Sequence, residues 1–189
     1  MEKQKIHFRF GVLALLVLLA AFSRLIPHPP NFSPIGAMAL FGSAYFSRKS
    51  VALALPIFAM WLSDMVINNV VYAQYFEGFT FFYQGFYWTY GAFIAIGVIG
   101  FYVLKKVRFV NVLLAALLAS VAFFVISNFG VWASGTMYPK TLNGLYACYT
   151  AGIPFFKNTI SGNLVYSGVL FGAFELVQHK FPALKLRTF

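Results

Sequence analysis

An ionisable side chain inside an apolar stretch is costly in a bilayer core and is by default a candidate functional group. This chain carries few of them. Asp64 lies about 20 Å along a helix that starts near Val51. Trp61, Asp64 and Asn68 fall at i, i+3 and i+7, so one helix face presents all three. Arg24 stands near the end of the first apolar stretch, at the same predicted depth as Asp64. Two readings stay open for them: a buried ion pair that locks two helices, or a direct contact with a ligand. Thr159, Asn163 and Tyr166 share a second polar face, with Asn158 one residue before it. His28 and Asn31 in a proline-rich turn, and Asn128 and Trp132 at the end of the fifth stretch, complete the set. The chemistry these types offer is recognition: a polar floor with Trp61 and Trp132 as stacking walls for a planar organic molecule.

Catalytic signatures are missing. The sequence has no H-E-x-x-H, no G-x-S-x-G and no phosphate-binding loop. Asp64 and Glu175 fall at opposite predicted depths and cannot flank one reacting group. Cys148 is alone, which excludes an internal disulfide, and no Cys/His spacing fits a metal. We therefore expect no catalytic residues, no metal and no cofactor. The competing enzymatic reading is an intramembrane enzyme on a lipid-like substrate, with His28 and Asp64 as acid and base. A non-catalytic membrane assembly subunit, with the Asp64 face against another protein, is a further alternative.

Six apolar stretches must position these residues. The chain is 61% hydrophobic and 10% charged over 189 residues, against about a quarter charged in soluble domains. The expected architecture is an all-α integral membrane protein, a single domain over 1–189 with spans about 8–26, 35–46, 51–69, 86–104, 109–127 and 153–177. The second stretch covers only about 18 Å, so it must begin below one surface. Irregular backbone at that depth survives only against protein or a water-filled cavity. The segment Phe129–Tyr149, with Gly130, Gly135, Pro139 and Gly144, reads as a long loop, and Pro154 as the first turn of the sixth span. Small residues four apart, among them Gly168/Gly172, read as packing within the bundle. The small-x-small run Ala21-Phe22-Ser23 suits a signal-peptidase site, yet the apolar run continues to Ile26, so an uncleaved first span is expected.

Charge sets the orientation. Eleven of the fourteen Lys and Arg fall at alternate junctions: Lys3, Lys5 and Arg9; Arg48 and Lys49; Lys105, Lys106 and Arg108; Lys180, Lys185 and Arg187. Short cytoplasmic loops retain such residues, which predicts both termini inside and the aromatic, proline-rich loops outside. The formal charge of +10 is then a membrane feature; no basic stripe or nucleic-acid motif accompanies it.

The runs Arg24-Leu-Ile-Pro-His-Pro-Pro-Asn-Phe-Ser-Pro-Ile-Gly-Ala-Met-Ala-Leu-Phe-Gly42 and Ser127-Asn-Phe-Gly-Val-Trp132 are distinctive. So are Tyr138-Pro139, Gly144-Leu145, Cys148-Tyr149, Pro154-Phe-Phe156 and Leu170-Phe-Gly172. With them the chain resembles a family of uncharacterised six-span bacterial membrane proteins linked to transport by name only. That family in turn resembles the substrate-binding (S) components of energy-coupling-factor vitamin transporters. The resemblance implies a multi-pass protein of the bacterial inner membrane. It would bind a small organic solute, of vitamin or cofactor-precursor class, at its outer face for uptake, amid membrane lipid. It also implies either a transmembrane coupling subunit with ATPases as partner or solitary action. S components often present Ala-x-x-x-Ala in the first span, whereas Gly11, Ala14, Ala20 and Ala21 give no small pair four apart. The residues expected around the solute are Arg24, His28, Asn31, Trp61, Asp64, Asn68, Asn128, Trp132, Asn158 and Asn163.

Overall fold

The structure is a computed structural model that describes residues 2–181 and Leu184, with side chains from Ile6 onward. Lys185 and Arg187 of the terminal basic group lie outside the described residues, as do the side chains of Lys3 and Lys5. The described residues form six α-helices and no strand: α1 (Glu2–Phe22), α2 (Ile35–Tyr45), α3 (Lys49–Val66), α4 (Phe86–Val103), α5 (Phe109–Ser134) and α6 (Leu142–Lys180). Five of these segments, all but α2, are long and apolar enough to cross a membrane.

Local chemistry sets the boundaries. A 3-10 turn, Ser23–Leu25, extends α1. Pro27, Pro29 and Pro30 then prevent further helix, and Pro34 occupies the cap of α2 with φ −78°. Asn31 turns the chain through the left-handed region at φ 64°, which an Asn side chain tolerates. The end of α3 loosens into a π turn, Ile67–Val71. Before α4, Gly85 stands at φ 77°, a conformation that favours a residue without Cβ.

Helix α2 is the axis of the bundle. It packs against all five other helices, and Ile35 through Gly42 are buried without interruption. An 11-residue helix is about 16 Å long, so the other helices surround it completely. Phe41 meets Tyr45, Phe171 and Phe174 at ring separations of 5.0, 5.5 and 5.7 Å. Glycine permits the tight crossings. A Cβ on Gly36 would collide with the Asn163 amide of α6, and one on Gly42 would stand 2.5 Å from the Ala52 carbonyl of α3. Ser43 donates to the Gly97 carbonyl at 2.7 Å and so pins α2 to α4.

The two ends of the bundle differ. At the basic end, the buried Arg9 of α1 donates to the carbonyls of Tyr45 and Leu184. There too the Tyr45 hydroxyl donates to Glu175 at 2.8 Å. The opposite, aromatic end holds the proline turn, the 72–85 segment and the α5–α6 turn. Between the ends, outward faces carry large apolar side chains, among them Leu15, Leu19, Ile94, Val98, Leu117, Val121, Val165 and Val169.

The expected 129–149 loop is corrected to a helical hairpin. Helix α5 runs on to Ser134, and α6 begins at Leu142, capped by the Thr141 hydroxyl, which accepts from the Gly144 N–H at 3.2 Å. The glycines that suggested a loop serve close packing instead. A Cβ on Gly130 would enter the Trp88 ring, and one on Gly144 would strike the Pro139 carbonyl. Pro154 consequently lies within α6, not in its first turn. At 39 residues, α6 is about 58 Å long, the longest helix among the described residues.

Candidate functional site

Four of the ten candidate residues gather about one ion pair at the aromatic end. Arg24, on the 3-10 turn after α1, places its guanidinium 2.7 Å from the Asp64 carboxylate. The same guanidinium donates to Ser63 Oγ at 2.7 Å, and Ser63 donates to the Met60 carbonyl at 2.8 Å. From α4, the Tyr90 hydroxyl donates to the other Asp64 oxygen at 2.8 Å. Asp64 is only 3% exposed; a carboxylate so buried persists because a cation holds one oxygen and the Tyr90 hydroxyl the other. One turn to either side stand Trp61 and Asn68. Trp61 Nε1 and Asn68 Nδ2 are buried donors with no hydrogen-bond partner among the described residues. Such orphans are rare in native proteins, and these two flank the ion pair.

A cavity of about 370 Å³ opens at the same end, between the start of α4 and the end of α5. Tyr83, Trp88 and Thr89 form one wall, with Ser127, Val131 and Ser134 opposite. Ser134 Oγ lies 2.7 Å from both Trp88 Nε1 and Tyr87 OH, which fixes the aromatic wall against α5. Tyr83 connects cavity and ion pair. Burial pushes its phenol above the ordinary value, against the Thr89 hydroxyl beside it, and the nearby Asp64 raises it further while Arg24 opposes. Tyr83 also lines the cavity. The arrangement can hold an uncharged or zwitterionic aromatic molecule between ring faces and small hydroxyls.

The remaining candidates hold the scaffold. His28 is exposed and its Nδ1 lies 3.0 Å from the Pro29 carbonyl; Asp64 is bonded elsewhere, so the two share no hydrogen bond. Asn158 donates to the Pro30 carbonyl at 3.0 Å and ties the Asn31 turn to α6. Asn128 donates to Phe124 at 2.8 Å within α5, and its amide oxygen packs where a Gly152 Cβ would stand. Trp132 donates to Pro139 at 3.0 Å beneath Lys140, closing the α5–α6 turn rather than walling the cavity. Asn163, 3% exposed, donates to Ser120 Oγ at 2.9 Å in the bundle interior.

Sequence reasoning missed Ser63, Tyr83, Trp88, Tyr90 and Ser134. Tyr83, Trp88 and Tyr90 sit in an aromatic-rich segment where no spacing singles out one ring, and Ser134 in the expected 129–149 loop. Only Ser63, adjacent to Asp64, carried a signal, and Trp88 and Ser134 become neighbours only once α5 is known to continue.

Neither a curated protein nor a solved structure matches the chain. One family model matches residues 4–184, and the chain belongs to that family, the Family of unknown function (DUF6580).

Proposed function

We propose that this protein spans the bacterial inner membrane with both termini cytoplasmic and binds one small organic solute at its outer, aromatic end for uptake. The observation that carries this reading is that α4 joins the two: its Trp88 and Thr89 wall the aromatic cavity, and the next residue, Tyr90, donates to Asp64 of the buried Arg24–Asp64 pair at 2.8 Å. Buried charge beside an apolar cavity with a few placed hydroxyls is the usual make-up of a small-molecule site. Support for membrane insertion comes from the five long apolar helices and the large apolar side chains on their outward faces. The alternation of Lys and Arg supports the orientation, since the basic groups fall at one end of the bundle. The solute is of vitamin or cofactor-precursor class: planar, largely apolar and carrying a few hydrogen-bonding groups. The protein then acts without catalysis, in the manner of an S component, alone or with a coupling subunit and its ATPases.

Uptake of a panel of isotopically labelled vitamins and cofactor precursors into cells expressing the protein tests this. One compound accumulates, and Ser127→Phe, which fills the cavity, abolishes its accumulation. Equal accumulation of every compound in both strains contradicts the reading.

A further inference from the structure

A second concavity lies at the opposite end of the molecule, far from the ion pair. It is a groove of about 580 Å³ between α5 and α6. Val112, Leu113 and Ala116 of α5 form one wall. Leu164, Gly168 and Gly172 of α6 form the other. The groove exists because those glycines lack side chains: a Cβ on Gly168 or Gly172 would meet no atom within 4 Å. The expected packing of this pair inside the bundle is thereby corrected, since both positions face outward into open space. In the groove, Ser167 is 2% exposed, yet its hydroxyl has no partner among the described residues. At the basic end the groove stops at Arg108, which is exposed and follows exposed Lys105 and Lys106. None of the three joins an ion pair among the described residues. The one carboxylate on the lining, Glu175, is engaged by the Tyr45 hydroxyl at 2.8 Å and by Gln178 at 3.5 Å.

We infer that this groove binds a phospholipid with an anionic headgroup. This rests on the membrane-spanning reading but not on the solute site. An alkyl chain removes apolar groove surface from competing contacts and fills the space the glycines leave. The headgroup phosphate lies at the level of Arg108, where a planar guanidinium can pair with two oxygens. Lys105 and Lys106 add attraction at the surface, as basic pockets on the cytoplasmic side do.

The full-length protein is titrated with phosphatidylglycerol and with phosphatidylcholine of identical acyl chains, and bound lipid is counted by native mass spectrometry. Phosphatidylglycerol binds about fivefold or more tighter, and Arg108→Gln removes most of that preference. Gly168→Leu combined with Gly172→Leu weakens both lipids, as does Leu113→Trp, which fills the groove from the opposite wall and is independent of the glycines. Equal binding of the two lipids, or preference unaltered in Arg108→Gln, overturns the inference. A wild-type dimer that becomes monomeric in the filled variants also overturns it, because the groove then holds a second copy of the chain.

Discussion

The Arg24 guanidinium lies 2.7 Å from the Asp64 carboxylate across the α1–α3 boundary, with side-chain exposures of 14% and 4%. A partner removed from so buried a pair leaves an uncompensated charge, which costs about 3–5 kcal/mol, whereas replacing both by apolar groups is often neutral. Asp64→Ala and Arg24→Ala each lower the melting temperature in detergent markedly. The combination Arg24→Met with Asp64→Leu recovers most of the loss. Additive losses in the double variant contradict the pair as drawn.

Tyr90 acts through Asp64. Tyr90→Phe removes one hydrogen bond to a charged oxygen and lowers stability by about 1.5–3 kcal/mol. In an Asp64→Leu background the same change has little further effect, because the acceptor is gone. The double-mutant cycle, read by thermal unfolding, gives a coupling that vanishes if the bond does not form.

The central crossing of α2 and α6 leaves no room at Gly36, where an added Cβ meets the Asn163 amide. Gly36→Ala costs about 1–3 kcal/mol by overpacking. Gly168→Ala, in open space, changes stability by less than about 0.5 kcal/mol. Equal effects of the two in thermal unfolding would refute the contrast between an inward and an outward glycine.

Much of this architecture was legible in the sequence because it rests on strong local signals. Prolines at 27, 29 and 30 stop α1, and Pro34 starts α2. The i, i+3, i+7 spacing puts Trp61, Asp64 and Asn68 on one face, and Arg24 does meet Asp64. The α5–α6 hairpin was not legible. Gly130 and Gly144 carry the same local propensity in a loop as at a close helix contact, and only the Trp88 ring and the Pro139 carbonyl decide between them. Asn128, Asn158 and Asn163 illustrate the same limit. An amide that holds helices together and one that faces a ligand share one sequence signature, and here Asn158 bonds to Pro30 and Asn163 to Ser120.

Orientation is open to a direct check by cysteine labelling. Cys148 is 2% exposed, so a Cys148→Ala background serves for single-cysteine reporters. Gln84→Cys, at the aromatic end, reacts with an impermeant maleimide in intact spheroplasts. Lys106→Cys, at the basic end, reacts only after permeabilisation. The reverse pattern places the cavity on the cytoplasmic side.

Native mass spectrometry of the gently extracted protein tests solute binding at the aromatic cavity most directly. The account predicts one stoichiometric organic mass, retained by the Gly168→Leu/Gly172→Leu variant and lost in Ser127→Phe with the fold intact. A wild-type spectrum carrying only heterogeneous phospholipid, across several detergents and hosts, or an organic mass retained in Ser127→Phe, would contradict it.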